Sequence, residues 1–297
     1  MNKNTNNEII NALANVELSA KCVFHIAEKY ALHLTQTATL PCKILIGKDT
    51  RASSDMIEAA LSAAFCSKGV NAVSLGIIPT PALSYLIKKY KVSGGVAISA
   101  STRSSDYNGL TFFNSNGDEI SKEDFDKIPS DYNTKLPKNC DMGRITRSHT
   151  ALRDYVDHIK STAYADLSGL KLAIDVAYGA GFESCKIVFK ELGADVDMLH
   201  NIPNGKNIND NCGINHPEII SQYVPAHKCS AGITFDGAGH SFIAVDENGR
   251  ILSQDDVERI CTQYGNGEKE TSCNCGLASA LNFICALKNS EKRLSQL

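Results

Sequence analysis

Apolar residues recur at helical spacing between Asn7 and Tyr30, at Ile10, Leu13 and Val16 and again at Val23, Ile26, Ala27 and Tyr30, which predicts one or two opening helices. The pattern then changes to short apolar runs that end in glycine or polar residues. Lys43 to Gly47 reads as a strand, followed by a polar turn and a helical stretch from Asp55 to Lys68. The unit repeats with a strand at Ala72 to Gly76 and an amphipathic helix from Ala82 to Tyr90, which Pro81 is suited to start. A third run, Gly95 to Ser99, leads directly into a polar loop from Ala100 to Asn108. Alternating strands and helices predict an α/β layer with a mixed or parallel sheet, in which chemistry sits in the loops leaving the strand ends.

Residues Pro129 to Thr150 lack apolar periodicity and read as a linker or an edge hairpin. A second α/β set follows: helix Leu152 to Ala163, strand Leu170 to Val176, helix Phe182 to Leu192, strand Ala194 to Leu199, helix Glu218 to Ala226 and strand Gly232 to Phe235. Phe242 to Val245 and Arg250 to Leu252 flank Asp246-Glu247-Asn248-Gly249, whose turn chemistry predicts a hairpin. Two helices, Asp255 to Tyr264 and Leu277 to Leu287, close the chain. The expected organisation is one α/β domain over 1–135, a linker over 136–149, a second α/β domain over 150–255 and a partial, loosely docked third over 256–297.

At 297 residues the chain has room for about two domains. A net charge of -3 with 43% hydrophobic residues excludes a disordered or nucleic-acid-coating protein. Eleven cysteines, odd in number, scattered and mostly inside apolar runs, are expected as reduced thiols of a cytoplasmic protein. Cys273 and Cys275 have no second Cys or His pair at ligand spacing, so they too are expected as free thiols. The polar N-terminus and the lack of any apolar run near the ~20 residues that span a bilayer argue against secretion and membrane insertion.

Two strand-end loops carry candidate chemistry. Ser99-Ala100-Ser101-Thr102-Arg103-Ser104-Ser105 is either a plain polar turn or a nucleophilic, phosphorylatable serine beside an arginine able to pair with phosphate. In Asp236-Gly237-Ala238-Gly239-His240 alternate positions of an extended segment share a face, so three carboxylates there would make a hard oxygen site for Mg²⁺. Only Asp236 is a carboxylate. His240 suits Zn²⁺ better, though two protein ligands make a thin site.

Gly47-Lys48-Asp49-Thr50-Arg51, Pro79-Thr80-Pro81, Ile98-Ser99-Ala100-Ser101, Asn108-Gly109 with Phe112-Phe113, and Asn204 to Gly213 with His216-Pro217-Glu218 follow one another in an order and spacing that resemble the α-D-phosphohexomutase family over about residues 10 to 290. The Asn207-Ile208-Asn209-Asp210 stretch with Cys212-Gly213 points to its glucosamine branch rather than its phosphomannomutase branch. The resemblance implies a four-domain α/β enzyme that moves phosphate between O6 and O1 of a hexosamine phosphate through a phosphoserine and Mg²⁺. It places Ser101 at the phosphoserine and Asp236 at the first metal aspartate, which leaves Ser101, Asp236 and His240 as a degenerate metal site. Arg51, in a turn that follows a neighbouring strand, is expected to pair with acidic groups near the serine loop, and Arg51 and Arg103 are expected beside Ser101 as catalytic groups.

The same resemblance exposes departures. Thr102-Arg103-Ser104 stands where the family has His-Asn-Pro, Leu110-Thr111 where it places a lysine, and Ala238 and His240 where it has two further aspartates. Tyr178 replaces an asparagine before Gly179. The family's N-terminal Gly-Thr-Asp-Gly-Ile-Arg-Gly loop has no counterpart before Asn11, and its sugar-reading and phosphate-clamping loops would lie beyond Leu297, so the third domain is expected to be incomplete and the fourth absent. Mg²⁺ is therefore expected to bind poorly, and the chain to be an impaired or inactive member of the family. The competing expectation is a non-catalytic module that forms a homodimer or associates with a full-length relative or another enzyme. A chain with no selected role, and a residual phosphate transfer or hydrolysis using Ser101 and Arg103, are the remaining readings.

Overall fold

The computed structural model describes residues 8–37, 41–129, 141–266 and 275–297, in two units, Met1–Ala151 and Leu152–Leu297. The first unit runs β1 (Ile10–Leu13), α1 (Ala20–Thr37), β2 (Lys43–Lys48), α2 (Ser53–Ser67), β3 (Asn71–Ile77), α3 (Pro81–Tyr90), β4 (Gly94–Ile98), β5 (Tyr107–Phe113), α4 (Lys122–Asp126) and β6 (Ile145–Arg147). Its sheet has the order β1-β5-β4-β2-β3-β6. β4, β2, β3 and β6 are parallel, while β5 runs antiparallel to both β1 and β4. The continuous apolar run Ile44-Leu45-Ile46 is fully buried, as a strand covered on both faces requires.

Helix α1 lays Val23, Ala27, Tyr30, Ala31 and Leu34 on the core. Tyr30 packs edge-on against Phe112, 4.8 Å between ring centroids, and its hydroxyl donates to the carbonyl of Phe113 at 3.0 Å. Burial pushes its phenol well above the usual tyrosine range. Tyr30→Phe removes one buried hydrogen bond to a carbonyl that also faces β4 in the ladder and is expected to cost about 0.5–1.5 kcal/mol, whereas Tyr30→Ala also empties the ring's space and is expected to cost about 3–5 kcal/mol, by analogy with Phe→Ala. Urea unfolding followed by circular dichroism reads both.

Two expectations are corrected here. The segment expected to open as helix begins with a strand: β1 pairs with β5, Ile10 opposite Leu110, and the helix starts only at Ala20 after a turn with Asn15 at φ 58°. Spacing at 10, 13 and 16 fits a helix, but Val16 is 72% exposed, and pairing at the sheet edge decides the conformation. Within the expected linker, residues 136–140 lie outside the described residues, while 145–147 form β6, parallel to β3 with Ala72 opposite Ile145. All three residues of β6 are exposed, so backbone pairing alone holds the strand and no apolar pattern marks it.

The second unit holds α5 (Ala151–Ser161, starting at the boundary), β7 (Lys171–Asp175), α6 (Phe182–Glu191), β8 (Asp195–Leu199), α7 (Pro217–Ala226), β9 (Ala231–Phe235), β10 (Phe242–Asp246), α8 (Gln254–Tyr264) and α9 (Gly276–Ser290). Its sheet order is β10-β9-β7-β8, with β9, β7 and β8 parallel and β10 antiparallel. The turn after β10 is held by Asp246 Oδ1, which accepts the N–H groups of Asn248 and Arg250, each at 2.9 Å. Ser253 caps α8 in a reciprocal box with Asp256.

The closing segment is not loosely docked. Helix α9 buries Leu277, Leu281, Phe283, Ile284 and Leu287, and Phe283 packs 6.2 Å from Phe242 of β10. Polar ties add to it: the Tyr164 hydroxyl donates to the carbonyl of Asn282 at 2.9 Å, and Lys288 Nζ to that of Ser168 at 2.6 Å. A helix apolar on most sides is a buried helix. What covers it is fixed by the fold of its own unit.

Candidate functional site

The serine loop leaves the C-terminal end of β4 and returns through β5, and Arg51 organises it from the neighbouring strand end. Arg51 is fully buried. Its Nε donates to Asp49 Oδ2 at 2.8 Å. Nη1 donates to the carbonyls of Ser104 and of Tyr107, the latter at 3.0 Å, and Nη2 to those of Arg103 at 2.9 Å and Ser101 at 3.3 Å. The five donors of the planar guanidinium are thereby all engaged. Arg51 thus pairs with an acidic group beside the serine loop, as its turn suggests, and its N–H groups are all taken up by Asp49 and the loop carbonyls. Asp49 in turn accepts Ser54 Oγ at 3.0 Å and the Arg51 backbone N–H at 3.1 Å.

Ser101 is buried and sits at φ 45°, left-handed backbone that a residue with a Cβ adopts at a cost. Its N–H donates to Ser99 Oγ at 3.2 Å. Asn108 locks the returning strand by donating to Ser53 Oγ and Ser54 Oγ at 2.9 and 3.0 Å. Gly109 is required there, since a Cβ would stand 2.7 Å from the carbonyl oxygen of Ser99. Arg103 is exposed and lies 4.1 Å from the centroid of the Tyr107 ring, a cation–π contact that keeps its charge at the mouth of the loop. Thr111 is buried in β5, so the position where the family resemblance implies a lysine offers no cation.

Asp236 and His240 belong to the second unit, in the loop between β9 and β10. Asp236 is buried, with Oδ1 accepting the Ser241 N–H at 2.8 Å and Oδ2 the Ala238 N–H at 3.2 Å. The loop is clasped on two sides: Ala180 N–H donates to the Gly237 carbonyl at 2.8 Å, and the first residue of α9, Gly276, donates to that of Gly239 at 3.1 Å. Ala238 is buried and offers no ligand atom. His240 Nε2 is buried without a hydrogen-bond partner. Among the described residues no third His, Cys, Asp or Glu joins Asp236 and His240 at ligand spacing.

A different group, which no motif or spacing marks, converges at the ends of β7 and β8. Asp175 closes β7, His200 follows β8, and Cys212 lies in the polar loop before α7. Ala177, Tyr178, His200 and Asn211, near or within the group, hold left-handed backbone. Burial, and then the carboxylates of Asp175 and Asp210, push the Cys212 thiol up to about 12. Tyr178, which stands where the family resemblance implies an asparagine, meets His200 edge-on at 5.1 Å between ring centroids. His216 stands at the start of α7, its Nδ1 2.9 Å from Glu218 Oε1. The nine described cysteines are free thiols, while Cys140 and Cys273 lie outside the described residues. Among the described residues, no helix is long and apolar enough to cross a membrane.

Residues 4–138 match the phosphoglucomutase/phosphomannomutase alpha/beta/alpha domain I. The chain is 42% identical over 266 residues to the phosphoglucosamine mutase of Clostridium beijerinckii, covering 86% of this chain and 58% of that protein. The phosphoglucosamine mutase of Clostridium novyi matches at 42% over 260 residues with the same coverage. The chain therefore spans 58% of the length of these relatives. Among solved structures, a phosphomannomutase-like protein from Thermus thermophilus superposes with a TM-score of 0.81 at 17% identity, over 97% of this chain and 80% of that one. A phosphoglucomutase/phosphomannomutase family protein from Burkholderia thailandensis superposes with a TM-score of 0.74 at 20% identity, over 86% and 57%.

Proposed function

Because the chain belongs to the phosphohexomutase family, with clostridial phosphoglucosamine mutases 42% identical to it, we propose that it is a phosphoglucosamine-mutase-like protein whose own residues do not support rapid Mg²⁺-dependent interconversion of glucosamine 6-phosphate and glucosamine 1-phosphate. The observation that carries this reading is the loop from Asp236 to His240. It offers one carboxylate, a buried alanine and an imidazole, a donor set that does not fit an ion demanding near-octahedral oxygen ligands.

On the serine side, what the residues can do is hold a backbone. Arg51 and Asp49 fix the loop carbonyls, Ser101 is presented in a constrained conformation, and Arg103 places a positive charge nearby. That arrangement suits recognition of a phosphate group of the hexosamine phosphate class, while phosphoryl transfer needs charge neutralisation that the metal loop does not supply.

Purified protein given glucosamine 6-phosphate and Mg²⁺ is expected to show no interconversion at an ordinary enzyme rate. Mn²⁺, followed by water proton relaxation, is expected to bind weakly, and Ala238→Asp combined with His240→Asp to tighten it by about tenfold or more. Turnover at an ordinary rate, or stoichiometric phosphorylation of the Ser101 peptide in protein from its own cells, would sink the proposal.

A second reading is favoured by the intact scaffold: a non-catalytic module that pairs with itself or with a full-length relative. Scaffold glycines keep their close approaches, a Cβ at Gly179 meeting the Gly237 carbonyl oxygen at 2.4 Å and one at Gly47 meeting Leu83 at 2.7 Å. Sedimentation of the chain alone and with a full-length clostridial relative tests it, and strictly monomeric behaviour in both counts against it.

A further inference from the structure

Asp175, His200 and Cys212 bring three donors of different chemistry, a carboxylate oxygen, a ring nitrogen and a thiol sulfur, within 4.8 Å of one another. We propose that these three side chains form a binding site for a borderline-soft divalent cation, Zn²⁺ above all, with a solvent ligand in the fourth position.

The carboxylate is fixed before any ion arrives. Asp175 is fully buried, with Oδ1 accepting the Ala177 N–H at 2.9 Å and Oδ2 the Gly213 N–H at 3.0 Å. Each carboxylate oxygen can accept twice, so these bonds orient the group and still leave room for a ligand bond. His200 Nδ1 is buried and lies 3.1 Å from Asp175 Oδ1, yet it has no hydrogen bond of acceptable geometry. Two ligands at about 2.1 Å from a tetrahedral ion stand about 3.4 Å apart, close to this spacing. Cys212 is fully buried and completes the group from a third segment.

An imidazolium beside Asp175 would balance one charge, but it would leave the ring N–H misaligned and give Cys212 no part. A cation among the three atoms uses all of them. Nitrogen, sulfur and a single oxygen are the donors of Zn²⁺ rather than of Mg²⁺. The His200 side chain is 21% exposed, which gives the ion an approach and its fourth position a solvent molecule. The Tyr178 ring against His200 restrains the imidazole plane. On binding, the thiol gives its proton to solvent and the sulfur ligates as thiolate.

The test uses the full chain, stripped by chelator and titrated with Zn²⁺ and separately with Co²⁺ as an optical probe. One equivalent should bind, Co²⁺ giving tetrahedral visible bands and a thiolate charge-transfer band. Cys212→Ser should abolish that band, and His200→Asn should weaken Zn²⁺ binding by about tenfold to a hundredfold. Since His200 is half-buried at the edge of its unit, His200→Asn is expected to keep its circular dichroism, so the result stands even if Cys212→Ser fails to fold. Cys229→Ser, at a thiol outside the group, should change neither signal. Absence of stoichiometric binding, or binding that His200→Asn leaves intact, overturns the proposal.

Discussion

Arg51→Met is expected to destabilise the first unit by about 3–5 kcal/mol, the cost of removing one partner from a buried ion pair. The guanidinium carries no exposed surface, and its removal leaves Asp49 buried with its charge uncompensated and the carbonyls of Ser101, Arg103, Ser104 and Tyr107 without their common donor. Arg51→Lys should recover less than half of the loss, because an ammonium has three donors and no planar fork to reach five acceptors on two sides. Asp49→Asn combined with Arg51→Met should cost less than the sum of the single changes, since the two residues are coupled. Urea unfolding by circular dichroism gives the energies, and hydrogen exchange over 101–107 tests the positioning role. If Arg51→Met left both unchanged, the loop would owe its shape to its own sequence.

Phe283→Ala is expected to cost about 3–5 kcal/mol, the range for emptying a buried aromatic site. Ten of the fifteen residues of α9 are buried, and Phe283 is fully enclosed against β10. A helix that merely rested on its unit would lose little on such a change. Lys186→Ala, at an exposed position on α6, should stay within about 0.5 kcal/mol and serves as the control. Because Gly276 at the start of α9 donates to the Gly239 carbonyl, Phe283→Ala should also raise hydrogen exchange in the Asp236 to Ser241 loop. A loss below about 1 kcal/mol would show that α9 is dispensable to the fold, contrary to its burial.

The α/β class, the central strands and most helices of both units were legible in sequence, because buried runs such as Ile44-Leu45-Ile46 and stripes such as Val23, Ala27 and Tyr30 report their own surroundings. Both strand-end loops were legible as well, since they follow directly from such runs. Pairing is what the sequence left open. β1 and β6 hold their places through backbone hydrogen bonds to partners about a hundred and about seventy residues away, and backbone groups are the same at every position. The pairing of Arg51 with an acidic group near the serine loop was legible from its turn, whereas its four carbonyl partners were not, because they belong to residues about fifty positions further along the chain.

The sequence by itself determined the layered architecture, the family resemblance and the count of carboxylates at the metal loop, each a property of residues in order. Tertiary structure decided that Arg51 is consumed in holding the serine loop, that α9 is core, and that Asp175, His200 and Cys212 meet. The physical reason is the same in all three. Hydrogen-bond saturation, burial and ligand convergence depend on distances between groups remote in sequence, and periodicity carries no information about such distances.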